Sequence, residues 1–160
     1  MSDSPLAETP GSLTGVARVL VNAGKLDVKA AGDLTRAAKE QKRSFISALM
    51  SKGTMSPSDL AQTLSTALAV PILDLSALDI QRLPKGVIDH KLSTQYQVVV
   101  LSKRGNRLFI AGADPTDQEA TERIKFATQM TPEWVIVEYD KLSKMLEGQT
   151  ASAEEQLNAL

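Results

Sequence analysis

The sequence predicts an α+β chain, a small helical bundle of duplicated helix pairs followed by a small mixed α/β subdomain. Three observations carry that expectation. A shift of 29 residues lays Gly24 on Gly53, Val16 on Phe45, Leu20 on Leu49, Leu26 on Met55 and Asp27 on Ser56. Each copy therefore reads as a helix, a glycine stop, an apolar residue, a polar cap and a second helix. After "AVPILDL", from Ala69 to Leu75, the pattern changes, and Pro71 and Pro84 break helical periodicity. The stretch "YQVVVLSKRGNRLFIAGADPTD" then carries two β-rich runs around an Arg-Gly-Asn turn, which predicts a hairpin.

Residues 1–11 are acidic at their start and rich in Pro and Ser, and they predict a disordered tail. Residues 12–76 are assigned to the helical subdomain. Leu13, Val16, Ala17 and Leu20 fall at helical spacing in its first helix, and Ala31, Leu34 and Ala38 continue the apolar stripe on the second. In the second copy the stripe is Phe45 and Leu49, then Leu60, Leu64, Ala67 and Leu68. Helices of about three turns do not persist alone, so packing between the copies has to hold them.

"ALMSKGTMSPSDL", Ala48 to Leu60, places Lys52 next to Gly53 and Thr54, like the tail of a phosphate-binding loop. That loop needs its lysine after a glycine, with another glycine five residues ahead of the Gly-Lys pair, and this order is reversed. A helix start accounts for the same residues. Ser56 caps, Pro57 takes the first helical position, Asp59 faces the helix dipole at the third, and Met55 and Leu60 are spaced as a hydrophobic staple. Gly53 ends the preceding helix.

Residues 77–148 are assigned to the α/β subdomain. Val98 to Leu101 is apolar without alternation, as in a strand covered on both faces. "DPTDQEATERIKFATQ" predicts a helix starting at Asp114, with Pro115 first and Asp117 third. "EWVIVEYD" predicts a strand and "KLSKMLEG" a short last helix. Residues 149–160 read as a linker leading to something that this sequence does not contain.

The bulk numbers bound the function. The 160 residues are 42% apolar with a net charge of −1, which fits a folded chain with no broad basic face for nucleic acid or lipid. Zero cysteines exclude disulfides, thiolate metal sites and cysteine nucleophiles. No apolar run approaches the roughly 20 residues that span a bilayer, and the start does not have the form of a signal peptide. The expectation is a cytoplasmic protein without membrane insertion.

Candidate sites are few. His90 is the single histidine and has no companions at metal-ligand spacing, so it is assigned a structural or surface place. Asp114 and Asp117 resemble a carboxylate pair, but capping also explains the proline between them. No nucleophile is paired with a base in a motif, and no glycine-rich cradle is present. No catalytic residue, cofactor-binding residue or metal ligand is assigned. Arg18, Arg36, Lys39, Arg43 and Lys52 are read as a solvated face. Val19 and Val21 flank the stripe of the first helix, and Ile46 and Met50 widen that of the third. With Phe45 and Leu49 they form the candidate partner-binding set.

"TLSTALAVPILDLSALDI" and "RLPKGVIDHKLSTQYQVVVLSKRGNRLFIAGADPTDQEATERIKFATQ" resemble the N-terminal regulatory region of type IV pilus extension ATPases, the PilB family, and the related region of type II secretion ATPases. The resemblance runs from about Leu13 to Glu147. The helical part resembles a duplicated motif that binds cyclic di-GMP in some of these ATPases, where each copy opens Arg-Leu-Gly and closes with glutamine. The framework is kept at Leu20 and Leu49, Gly24 and Gly53, Leu26 and Met55. Gly15 and Ser44 stand in place of the arginine, Ala17 and Ile46 in place of the early glycine, and Ala38 and Ala67 in place of the glutamine.

Without those cations the charge-assisted contacts to a dianion are lost. The resemblance then implies a docking region for a PilZ-type adaptor that links the motor to cyclic di-GMP signalling. A contact with the inner-membrane pilus platform protein is compatible with the same family, as is a homohexameric parent ATPase at the inner-membrane face. The competing expectation is a receptor that binds cyclic di-GMP directly through the duplicated helices. In either case the chain, with no phosphate loop, is not expected to hydrolyse ATP itself.

Overall fold

The computed structural model describes residues 13–159, with side chains as far as 149. The expected tail at 1–11 lies outside the described residues. The chain divides between Ala69 and Val70 into two compact units.

The first unit holds four helices, α1 (Gly15–Asn22), α2 (Val28–Glu40), α3 (Phe45–Lys52) and α4 (Pro57–Leu68). Helix α1 touches the other three, and α2 also packs on α3. Its core is the predicted stripe: Leu13, Val16, Ala17, Leu20, Ala31, Leu34, Ala38, Leu49, Leu60 and Leu64 are buried. Ala67 is exposed and Leu68 half-buried, so the stripe of α4 stops a turn early.

The duplication is visible in the caps. The Asp27 carboxylate accepts the Ala30 N–H at 2.6 Å, and the Ser56 hydroxyl accepts the Asp59 N–H at 3.0 Å at the matching place. Gly24 at φ 74° and Gly53 at φ 73° take the left-handed conformation that stops α1 and α3. Behind Gly24 the Lys25 N–H reaches back to the Leu20 carbonyl at 2.9 Å, which closes the turn.

The second unit contains two 3-10 turns (Leu75–Ala77 and Ile80–Arg82), α5 (His90–Tyr96), β1 (Val98–Arg104), β2 (Arg107–Gly112), α6 (Gln118–Thr128), β3 (Thr131–Ile136) and α7 (Tyr139–Ala159). The sheet order is β1-β2-β3, with β1 antiparallel and β3 parallel to β2. It is the mixed sheet expected. The hairpin turns at Gly105, whose φ of 59° suits the reversed turns of a twisted ribbon. Strand β1 bulges between Val100 and Ser102.

Both faces of the sheet are covered, as the continuous apolar run of β1 predicts. Val98 and Val100 join Leu108, Ile110 and Ile124 in one cluster, while Val99 and Ala111 join Leu75, Val137, Leu142 and Leu146 in the other. Helix α6, which carries Ile124, belongs to the first cluster, and α7 belongs to the second.

Four expectations are corrected. Residues 70–76 belong to the second unit rather than the first, because Ile72 bridges Ile136 at the edge of the sheet. Helix α6 is capped by Asp117, whose carboxylate accepts the Ala120 N–H at 3.0 Å. Asp114 shapes the turn before it by accepting the Thr116 N–H at 2.9 Å. Strand β3 starts at Thr131 and ends at Ile136, ahead of the predicted run. The last helix spans 21 residues and takes in most of the predicted linker.

Candidate functional site

Of the six predicted partner-binding residues, Ile46 is 3% exposed and Leu49 fully buried. These two are core residues and offer nothing to a partner. Val19, Val21, Phe45 and Met50 are partly exposed. At about 100° per residue, Val19 and Val21 lie on opposite flanks of the buried Val16-Ala17-Leu20 stripe. They form two edges of α1, not one patch.

Apart from Ala67, the positions that match the nucleotide motif are also committed to structure. Gly15 opens α1 at φ 60°, where any side chain, arginine included, is strained. The Ser44 hydroxyl caps α3 by accepting the Ser47 N–H at 3.0 Å. Ala17, Ile46 and Ala38 are buried, and Ala67 is exposed.

Arg43 departs from the expected solvated face. Its guanidinium donates to the Gln41 side-chain oxygen at 3.1 Å and to the Ser47 carbonyl and Ser51 hydroxyl of α3, the helix it precedes. Its Nε is buried without a hydrogen-bond partner. The cation that precedes Ser44 in sequence is thus folded back along α3. Periodicity carries no signal for this, because the contact depends on which way a long side chain lies.

In the second unit, Asp114 is half-buried, and desolvation pushes its carboxyl above the ordinary range against the opposing Thr116 hydroxyl and N–H. His90 is exposed in the first turn of α5, behind the Asp89 cap. Among the described residues, no group of three or more His, Cys, Asp or Glu is placed to hold a metal ion, and no helix is long and apolar enough to cross a membrane.

The MshEN domain model matches residues 68–156, more than half of the chain. The chain belongs to the MshEN domain family. This MshEN chain is 33% identical over 148 residues, 92% of its length, to the type IV pilus assembly ATPase PilB of Pseudomonas aeruginosa, and covers 26% of that protein. PilB of Acinetobacter baylyi is also 33% identical, over 138 residues. The MshEN chain thus spans about a quarter of the length of the curated relatives it matches.

Among solved structures, MshE with cyclic di-GMP ("cdg") is similar at a TM-score of 0.60 and 25% identity, covering 84% of this chain and 98% of that one. The N-terminal domain of XpsE is similar at a TM-score of 0.65 and 22% identity, covering 82% and 91%, and shares the fold. The α+β architecture read from the sequence is that of these MshEN relatives.

Proposed function

We propose that this MshEN chain is a regulatory and docking domain of a type IV pilus extension ATPase, and that its helical unit seats a PilZ-type adaptor that couples cyclic di-GMP signalling to pilus assembly. One observation carries the preference for docking over direct nucleotide binding. At both repeat openings the residue in the arginine's place is structural, Gly15 at a positive φ and Ser44 as a helix cap. Neither can supply a charge-assisted contact to a dianion. The identity to PilB supports the pilus setting. In that setting the parent works as a homohexamer at the cytoplasmic face of the inner membrane, within reach of the platform protein.

The second reading, direct binding of cyclic di-GMP, is favoured by the likeness to MshE, whose structure was solved with it. Titration calorimetry separates the two. The docking reading expects no heat with cyclic di-GMP at micromolar concentrations and saturable binding of a PilZ-type adaptor. Micromolar or tighter nucleotide binding, or no adaptor binding, overturns it.

A further inference from the structure

Phe126 is 81% exposed, more than any other large apolar side chain among the described residues, and it belongs to neither core cluster. It stands in the last turn of α6, on a helix end that is already satisfied. The Gln129 N–H donates to the Lys125 carbonyl at 2.8 Å, and the Gln129 Nε2 donates to the Phe126 carbonyl at 2.9 Å. Just beyond, the Thr131 N–H donates to the Asn106 carbonyl at 2.8 Å. The end of α6 and the tip of the β1-β2 hairpin therefore lie at the same end of the unit.

That tip is basic. Arg104 and Arg107 are register partners that close the hairpin, and like charges set directly opposite repel. Arg107 is offset by Glu133 at 3.0 Å. Lys103 and Arg104 are exposed and make no ion pair among the described residues. On α6, Glu122 and Arg123 stand one turn before Phe126 and offset each other, while Lys125 adds to the basic side. A lysine and a bulge on an edge strand discourage strand addition, which accounts for Lys103 and for the irregularity between Val100 and Ser102. They do not account for two arginines face to face at the same end as an exposed aromatic ring.

We propose that the hairpin tip and the end of α6 form a docking surface for an acidic protein segment that carries an apolar side chain: its carboxylates neutralise Lys103 and Arg104, and its apolar side chain packs on Phe126. Aromatic and arginine side chains are enriched in interfaces and concentrate binding energy there. The uncompensated positive charge of the tip selects an acidic partner over a basic one. Since the edge of β1 discourages strand addition, the partner is held by side chains rather than by a shared ladder. This inference is independent of which partner the helical unit binds.

Fluorescence anisotropy on the 160-residue chain tests it, with a labelled peptide that alternates Glu and Leu as the probe. The probe is expected to bind saturably, and more weakly as salt is raised. A peptide alternating Glu and Ser and one alternating Lys and Leu are each expected to bind about fivefold more weakly or worse. Phe126→Ser and Arg104→Glu should each cost the probe about fivefold or more in affinity. Lys144→Glu, which reverses an exposed cation on α7 over the opposite face of the sheet, should leave it within about twofold. No saturable binding, equal binding of the Glu-Ser peptide, loss in only one or neither of the Phe126 and Arg104 variants, or equal loss in all three variants would each overturn the proposal. Tighter binding of phosphatidylglycerol vesicles or of a single-stranded oligonucleotide through the same residues would overturn it as well, by making the surface a lipid or nucleic-acid contact.

Discussion

The two units bury comparable aliphatic side chains by different means. In the helical unit each helix has one apolar face, and the faces meet in a single core centred on Leu20, Leu49, Leu60 and Leu64. In the α/β unit a sheet stands between two separate clusters, so its strands are used on both sides. A helix with a one-sided stripe keeps its flanks free, whereas a sheet covered on both faces keeps none. The docking reading places recognition on the helical flanks, while the large exposed apolar side chains, Ile72, Ile80 and Phe126, belong to the α/β unit outside its sheet.

The largest expected effect tests whether the two cores are independent. Leu49→Ala should destabilise the helical unit by about 3 kcal/mol, the cost of truncating a fully buried leucine. Trp134, the single tryptophan, reports the other unit. The variant should lose helical circular dichroism at low denaturant while Trp134 fluorescence keeps its wild-type midpoint. Leu108→Ala should do the reverse. A shared midpoint in both variants would show one core in place of two.

Next comes a close approach inside the sheet. A Cβ on Gly112 would stand 2.4 Å from Cζ3 of the Trp134 ring, and the Trp134 Nε1–H is held by the Thr121 hydroxyl at 3.0 Å. The ring is pinned at its far edge and cannot retreat freely. Gly112→Ala should cost about 1–3 kcal/mol by overpacking and shift the Trp134 emission. An unchanged spectrum and midpoint would mean that the ring moves without penalty.

How much of this was legible in the sequence follows from the range of the interactions. The Ser56-Pro57-Asp59 helix start, the Gly24 and Gly53 stops and the Arg-Gly-Asn hairpin are written within a few residues, and all stand as read. Asp114 and Asp117 were assigned to one helix start. An aspartate in the preceding turn and one at the helix start look alike in a Pro-containing string, and here Asp117, not Asp114, stands immediately before α6. The subdomain boundary was misplaced because Ile72 pairs with Ile136, across a separation that no local pattern encodes. Of the candidate docking set, Ile46 and Leu49 proved to be core, since a widened stripe looks the same whether its extra width faces a neighbour or solvent.

Acid sharpens the contrast between the connecting segment and the turn before α6. Asp74 is lowered from 3.8 to about 2, first by the Ser76 hydroxyl and then by Lys141, so the folded state binds its proton less readily than the unfolded state. Its contribution is fully present above about pH 4 and is lost as the pH falls through 2. Asp114 is raised by burial, so its ionised form opposes folding, and its protonation on acidification relieves that penalty. Asp74→Asn should flatten the loss of stability between pH 4 and 2, whereas Asp114→Asn should remove a gain that falls above about pH 4, where the raised folded-state carboxyl takes up its proton before the unfolded one does. Denaturant midpoints on both sides of pH 4 check both signs, and parallel curves for the two variants would contradict them.

The smallest effect on stability, and the one closest to function, concerns the flanks of α1. Val19→Glu and Val21→Glu each alter a partly exposed side chain and should move the folding free energy by no more than about 0.5 kcal/mol. The two positions lie about 160° apart around the helix axis, too far for one flat contact to take both. A PilZ-type adaptor seated on one flank should lose tenfold or more in affinity for one variant and stay within twofold for the other. Equal loss in both would require a partner that wraps α1, which its packing against α2, α3 and α4 obstructs. No loss in either would move the seat to Phe45 and Met50 on α3, where the charged variants of those residues should then weaken binding.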